Sequence, residues 1–171
     1  MELYVERGFE QTTVAEIAQR AGVTARTFFR HFADKREVLF AGSDDLLAAL
    51  TRAVAEAPAE ASPMTVVAAV LDVAGGLLGQ DHERTRQRQS IIEAHPELQE
   101  RELIKLARMS AGVAEGLRER GVPAPEAALA AEAGLAVLRV AFGGWVSASD
   151  PGDLRVAMRE TLAALRKVTA S

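Results

Sequence analysis

The residues best equipped for chemistry fall in one short run, Ala25-Arg26-Thr27-Phe28-Phe29-Arg30-His31. Two arginines, a histidine and a hydroxyl stand there with a small alanine beside them. The run pairs no nucleophile with a base. It suits recognition of a nucleic acid, because arginine matches guanine edges while cations and hydroxyls meet phosphates. Arg26 and Thr27 are expected at base edges, with Ala25 leaving room between them. Thr13, Thr24, Phe29, Arg30, His31 and Lys35 are expected along the phosphates or the groove wall. Residues 20 to 36 hold Arg20, Arg26, Arg30, Lys35 and Arg36 against Asp34, so five minus one gives +4 in a chain whose net charge is −4. Contact with DNA must therefore come from this local patch and not from a generally basic surface.

Other chemistries find little support. The sequence has no cysteine, which removes disulfides, thiolate catalysis and cysteine metal sites. His31, His82 and His95 lack metal-ligand spacing to one another or to carboxylates. Ser90, Ser110 and Ser147 have no nucleophile-elbow context. Gly75, Gly76 and Gly79 are followed by no phosphate-loop lysine. Asp44 and Asp45 read as a solvated helix face, and His95 before Pro96 as a helix-end residue. No catalytic residue, metal ligand or cofactor is expected.

The elements that must position the run are two short helices and a tight turn. Val14, Ile17, Ala18 and Ala21 recur at i, i+3, i+4 and i+7, one face of a helix. Thr13 with Glu16 forms a capping box that starts it. Gly22 stops it, since glycine takes the left-handed conformation beyond a helix end at little cost. Val23 plugs the turn, and Thr24 is a fitting N-cap for the second helix. Phe28 and Phe32, four apart, pack back on the first. The pattern fits a DNA-reading helix-turn-helix. It also fits an ordinary helical hairpin with a solvated basic face.

The longer stretch GFEQTTVAEIAQRAGVTARTFFRHFADKREVL resembles the DNA-binding domain of the tetracycline-repressor (TetR) family almost position for position. The resemblance is strong over about the first 45 residues; beyond them it is one of helix count and layout. It implies a transcriptional regulator, most often a repressor, released from its operator when a small molecule enters the body. Two departures bear on this. The family usually has tyrosine where Phe29 stands, so a hydroxyl contact is missing. Its first helix normally begins about ten residues earlier, so this chain, with MELYVER and Gly8 as the stop, opens within that helix. A weakened three-helix core is expected, and this departure puts in doubt any N-terminal arm that would reach the DNA backbone or minor groove.

Past the turn the chain is helix upon helix. Asp34 and Glu37 form a further cap, and the helix they start is expected to run from Lys35 to about Ala57, loosened at Gly42. At 1.5 Å per residue it is about 33 Å long, enough to bridge a head and a body. Ala57 to Ser62 reads as a linker. Helices follow over Met64 to Leu78, Pro96 to about Arg120, Pro125 to about Ala148 and Pro151 to Lys167, with Asp150 and Pro151 as the last cap. His82 to Gln89 is polar. Ala127 to Val146 is nearly all apolar, interrupted only by Glu132 and Arg139. Its alanines and glycines, inner charges and lack of positive flanks argue against a membrane span and for a helix buried all round.

The expected fold is all-α: a three-helix helix-turn-helix head over residues 1–45, a connecting helix, and a five-helix dimerisation and ligand-binding body within 46–171. The inward faces of the body offer Leu71, Leu78, Gln89 and Ile92, with Leu106, Met109, Phe142 and Trp145, as candidate effector contacts. Trp145 leads them, since a large ring with one N–H donor suits an apolar pocket. The homodimer interface is expected on the last two helices: Ala128, Ala131, Leu135, Leu138 and Val146 on one, Leu154, Met158, Leu162 and Leu165 on the other. The expected partners are double-stranded operator DNA, a second copy of the chain and a small-molecule effector, with no membrane. Without a signal peptide ahead of the first helix, the cytoplasm is the expected compartment. The alternative is a helical ligand-binding or scaffold protein whose DNA-binding head is non-functional. A nucleoid-associated architectural protein would need more positive charge than one short patch.

Overall fold

In the computed structural model, which describes residues 1–170, no residue is in a strand. Three short helices open the chain: α1 (Glu2–Arg7), α2 (Val14–Arg20) and α3 (Ala25–His31). A 3-10 turn spans Lys35–Phe40. The connecting helix α4 (Ser43–Glu56) follows, then α5 (Pro63–Leu78), α6 (His82–Glu93), α7 (Pro96–Glu119), α8 (Ala124–Ser147) and α9 (Leu154–Thr169).

Local chemistry accounts for most of these ends. Ser62 caps α5 with Pro63 in its first turn. Pro96 opens α7, where its missing N–H costs nothing. Asp153, not Asp150, caps α9 by accepting the Arg155 N–H at 2.8 Å. The single helix expected from Lys35 to Ala57 is two pieces. Asp34 does start a helical segment, accepting the Arg36 and Glu37 N–H groups. That segment ends at Phe40, and Gly42 takes a left-handed φ of 85° before α4 begins. Such a conformation is strained for any other residue, so Gly42 breaks the rod, and α4 is the helix that continues the chain from head into body.

The body core gathers Leu50 and Val54 of α4, Val66 to Ala74 of α5, Val113 and Leu117 of α7, and the inner faces of α8 and α9. A smaller core holds Tyr4, Phe9, Leu39 and Phe40 of the head together with Ile92 and Leu98 from α6 and α7. Ile92, expected in the effector pocket, is thus fully buried against the head. In α1, Leu3 and Tyr4 are buried but Val5 faces out.

By length and composition α8 alone among the described helices could cross a bilayer (mean hydropathy 1.4). It packs on α5, α6, α7 and α9. It is not buried all round: only 33% of its most apolar window is covered, and one face is open in the single chain.

Candidate nucleic-acid interface and internal cavity

The turn between α2 and α3 is fixed by hydrogen bonds that its own residues supply. The Glu16 N–H donates to Thr13 Oγ1, and the Thr13 N–H donates to Glu16 Oε2 at 2.8 Å, closing the capping box. Arg7 holds the same carboxylate from α1 at 2.6 Å. At the other end Val23 N–H reaches Ala18 O and Gly22 N–H reaches Gln19 O, with Gly22 at φ 67°. This paired closure needs a left-handed residue where glycine stands. Thr24 then accepts the Thr27 N–H at 3.1 Å and starts α3. Phe28 is buried, with Phe32 beside it at 5.3 Å between rings. Val23 does not plug the turn; it is 42% exposed.

The outward face of α3 carries Ala25, Arg26, Arg30 and His31, all exposed, with Thr27 half-buried. Phe29 is 57% exposed, a bare ring among polar groups. Among the described residues Arg26 makes no ion pair or hydrogen bond. The Arg30 guanidinium donates to His31 Nε2 at 3.3 Å and pairs with no carboxylate. The hydroxyls of Thr24 and Thr27 bond each other, and that of Thr13 donates to Glu16, so the two cap threonines are exposed but occupied.

The rest of the basic patch is spent inside the protein. Arg20 pairs with Glu2 and Glu6. Arg36 pairs with Glu97 and Asp34. Lys35, expected at a phosphate, instead donates to the carbonyls of Phe9, Glu10 and Thr12 at 2.9 to 3.1 Å. Its ammonium also lies 4.5 Å from the Phe9 ring centre. All three of its donors are taken. The Tyr4 hydroxyl in turn donates to Lys35 O, and burial raises the Tyr4 pKa. Lys35 is a fastener of the head.

A second ionic cluster, absent from the expectations, joins head to body. Arg101 donates to both Asp34 and Glu37, and Lys105 reaches Glu37 at 3.1 Å. Glu97, Arg101 and Lys105 lie four apart on α7, a spacing that puts them on one face and could have signalled a partner surface. Arg88 of α6 donates to Leu39 O at 2.7 Å and to Glu102 at 3.1 Å, with its guanidinium over the Phe40 ring. Burial of the Asp34 carboxyl pushes its pKa up. The Glu37 N–H, the Arg101 guanidinium and the Arg36 N–H together outweigh that and hold it below the usual carboxylate range.

Inside the body a cavity of about 30 Å³ lies between α4, α5, α7 and α8. Of the expected contacts, Leu71 and Met109 line it, joined by Val67, Val70 and Ser110. Ser110 is the polar one, buried and donating to Glu132 Oε1 at 2.6 Å. Trp145 is elsewhere: its ring meets His82 edge-on, its N–H donates to Gly152 O at 3.1 Å, and Phe142 sits beside it. With its donor used, it offers nothing to a guest. Leu78 and Leu106 are half-buried and do not line the cavity. Gln89 Nε2 donates to Glu93, and its Oε1 is buried without a partner among the described residues.

The expected dimer face also needs correction. Ala131, Val146, Leu154, Met158 and Leu162 are buried in the chain's own core, and Leu165 packs against it. Leu135 and Leu138 border the cavity. Of that set only Ala128 is exposed. The open apolar residues are others, chiefly Leu129 (71% exposed) and Val140 (67%) on α8, with Val156 and Val168 on α9.

Residues 1–41 match the family of bacterial regulatory proteins described as tetR, and residues 60–170 match the MftR C-terminal domain. The HTH-type transcriptional regulator TcmR of Streptomyces glaucescens is 41% identical over 64 residues, 37% of this chain and 28% of that protein. The match thus spans little more than a quarter of TcmR. Among solved structures, a TetR-family regulator from Mesorhizobium loti aligns over 98% of this chain and 91% of its own at TM-score 0.61 and 19% identity. FadR of Thermus thermophilus, a TetR-family repressor in complex with lauroyl-CoA, aligns over 99% and 90% at TM-score 0.59 and 23% identity. PfmR of the same species aligns over 96% and 93% at 0.53 and 23%. At these identities the likeness is one of fold.

Proposed function

The chain belongs to the TetR family of bacterial regulatory proteins, and we propose that it acts as a cytoplasmic repressor that binds a palindromic operator and leaves it when a small molecule enters the body. The observation that carries this is the state of the basic patch. Every cation that could close on a neighbouring carboxylate or carbonyl has done so, while Arg26 and Arg30 stand without an acidic partner on the outward face of α3. An arginine pair left open on a rigidly held helix has base edges and phosphates as its natural partners. Arg26 and Thr27 take the base edges. Ala25, Thr24 and Thr13 lie beside them, with Phe29, Arg30 and His31 toward the groove wall.

One head presents too little surface for tight specific binding, so the functional unit is a twofold dimer. We place its interface on the outward faces of α8 and α9, around Leu129, Val140 and Ala128. The head is taken as residues 1–45 and the body as the rest. Release follows from Leu50, which lines the cavity and sits on α4. A guest that widens the cavity pushes the helix that carries the head.

A salt titration of operator affinity tests the DNA surface. Arg30 is the one open arginine per head placed at the phosphates, two per dimer, which predicts a fall of roughly two log units per tenfold rise in salt. A flat response would remove α3 as the DNA surface.

A further inference from the structure

The cavity specifies its guest by the chemistry of its wall. Eleven of its twelve lining residues carry no polar side-chain group beyond a thioether, and none is charged. The exception is Ser110. Its hydroxyl hydrogen is committed to Glu132 Oε1 at 2.6 Å. A hydroxyl has one donor and two acceptor lone pairs, so what remains for a guest is acceptance alone. Glu132, at the surface end of that bond, adds negative charge beside the one polar point. Lys105 and Arg108 border a separate dent that shares only Met109 with the cavity, and each already faces a carboxylate, Glu37 and Asp44. An anion entering here would lose its water and gain no partner, a heavy cost in an apolar site.

Resting on the effector reading above, we infer that the guest is a compact apolar molecule bearing a single O–H or N–H donor and no negative charge. The donor meets Ser110 Oγ, and the apolar remainder fills the space among Val70, Leu71 and Met109. The resting volume of about 30 Å³ is below the ~150 Å³ that accommodates benzene, so the walls must give. Met109, Leu135 and Leu138 are only half-buried, and a thioether side chain adapts readily.

Calorimetric titration of the full chain with phenol, toluene, benzoate and lauroyl-CoA tests this, alongside operator binding by the same preparation. Phenol binds; benzoate and lauroyl-CoA do not. Ser110→Ala weakens phenol about tenfold, the scale of one hydrogen bond lost in an apolar site, and leaves toluene within about twofold. Benzoate or lauroyl-CoA binding more tightly than phenol, no ring compound binding, or Ser110→Ala weakening phenol and toluene alike would each overturn the inference. Should Ser110→Ala fail to fold, the order of phenol against benzoate on the unaltered chain decides. A chain that binds operator DNA but none of the probes loses this guest class alone. A chain that binds no DNA loses the regulator reading instead.

Discussion

At the scale of single residues, what separates the proposed DNA face from its supports is whether a side chain has already been used. Arg26 and Lys35 are both cations of the same patch, yet Arg26 is open and Lys35 is closed over three carbonyls. Arg26→Ala is expected to relax preference at one base pair and cost about 1–3 kcal/mol of specific binding, with thermal stability unchanged. Lys35→Ala is expected to lower stability by about 1–3 kcal/mol, because it strips donors from partly buried carbonyls, and to leave sequence preference intact. Competition binding on variant duplexes together with thermal melts separates the two. The caps of α2 and α3 were legible in the sequence because Thr13, Glu16, Thr24 and Gly22 act on neighbours within a few positions. The role of Lys35 was not, because its partners lie 23 to 26 positions earlier and only the folded head brings them together.

At the scale of elements, the join between head and body rests on α6 and α7. Ile92 and Leu98 fill the head's core, and Arg101 clasps the cap of the 3-10 turn through Asp34 and Glu37. The Asp34 carboxyl titrates below its ordinary value in the folded chain. A lowered folded pKa contributes stability that is present above the unfolded value, near ~3.9, and is lost as pH falls through the folded one. Melting temperature should therefore fall as pH drops below about 4, and Asp34→Asn should flatten part of that decline; an unchanged acid limb would show that the clasp contributes nothing. Helix number and most helix starts were readable, because proline, serine and aspartate act locally at N-termini. The break at Gly42 was misjudged. The apolar stripe runs on from Val38 and Leu39 to Leu46 and Leu47, and periodicity alone cannot tell a pause from a continuous rod.

At the scale of the whole molecule, the closing helices carry more apolar surface than one chain covers, but sequence could not say which face turns inward. Leu154, Met158 and Leu162 went into the core, and Leu129 and Val140 stayed out. On an amphipathic helix the wider stripe meets the bundle; on α8, apolar on both sides, tertiary packing alone decides. Leu129→Glu with Val140→Glu is expected to halve the mass seen by light scattering and to abolish tight operator binding, while the helical content of each chain stays the same. A dimer that survived both charges would place the interface elsewhere. The central claim, that two copies of α3 read a duplex, is tested most directly by in vitro selection from a pool of random double-stranded DNA with the unaltered chain as bait. The account predicts enrichment of a single palindrome whose half-sites lie about one helical turn, or about 34–36 Å, apart, and whose enrichment disappears with Arg26→Ala. A pool that remains random after selection, or that converges on a site indifferent to Arg26→Ala, would contradict it.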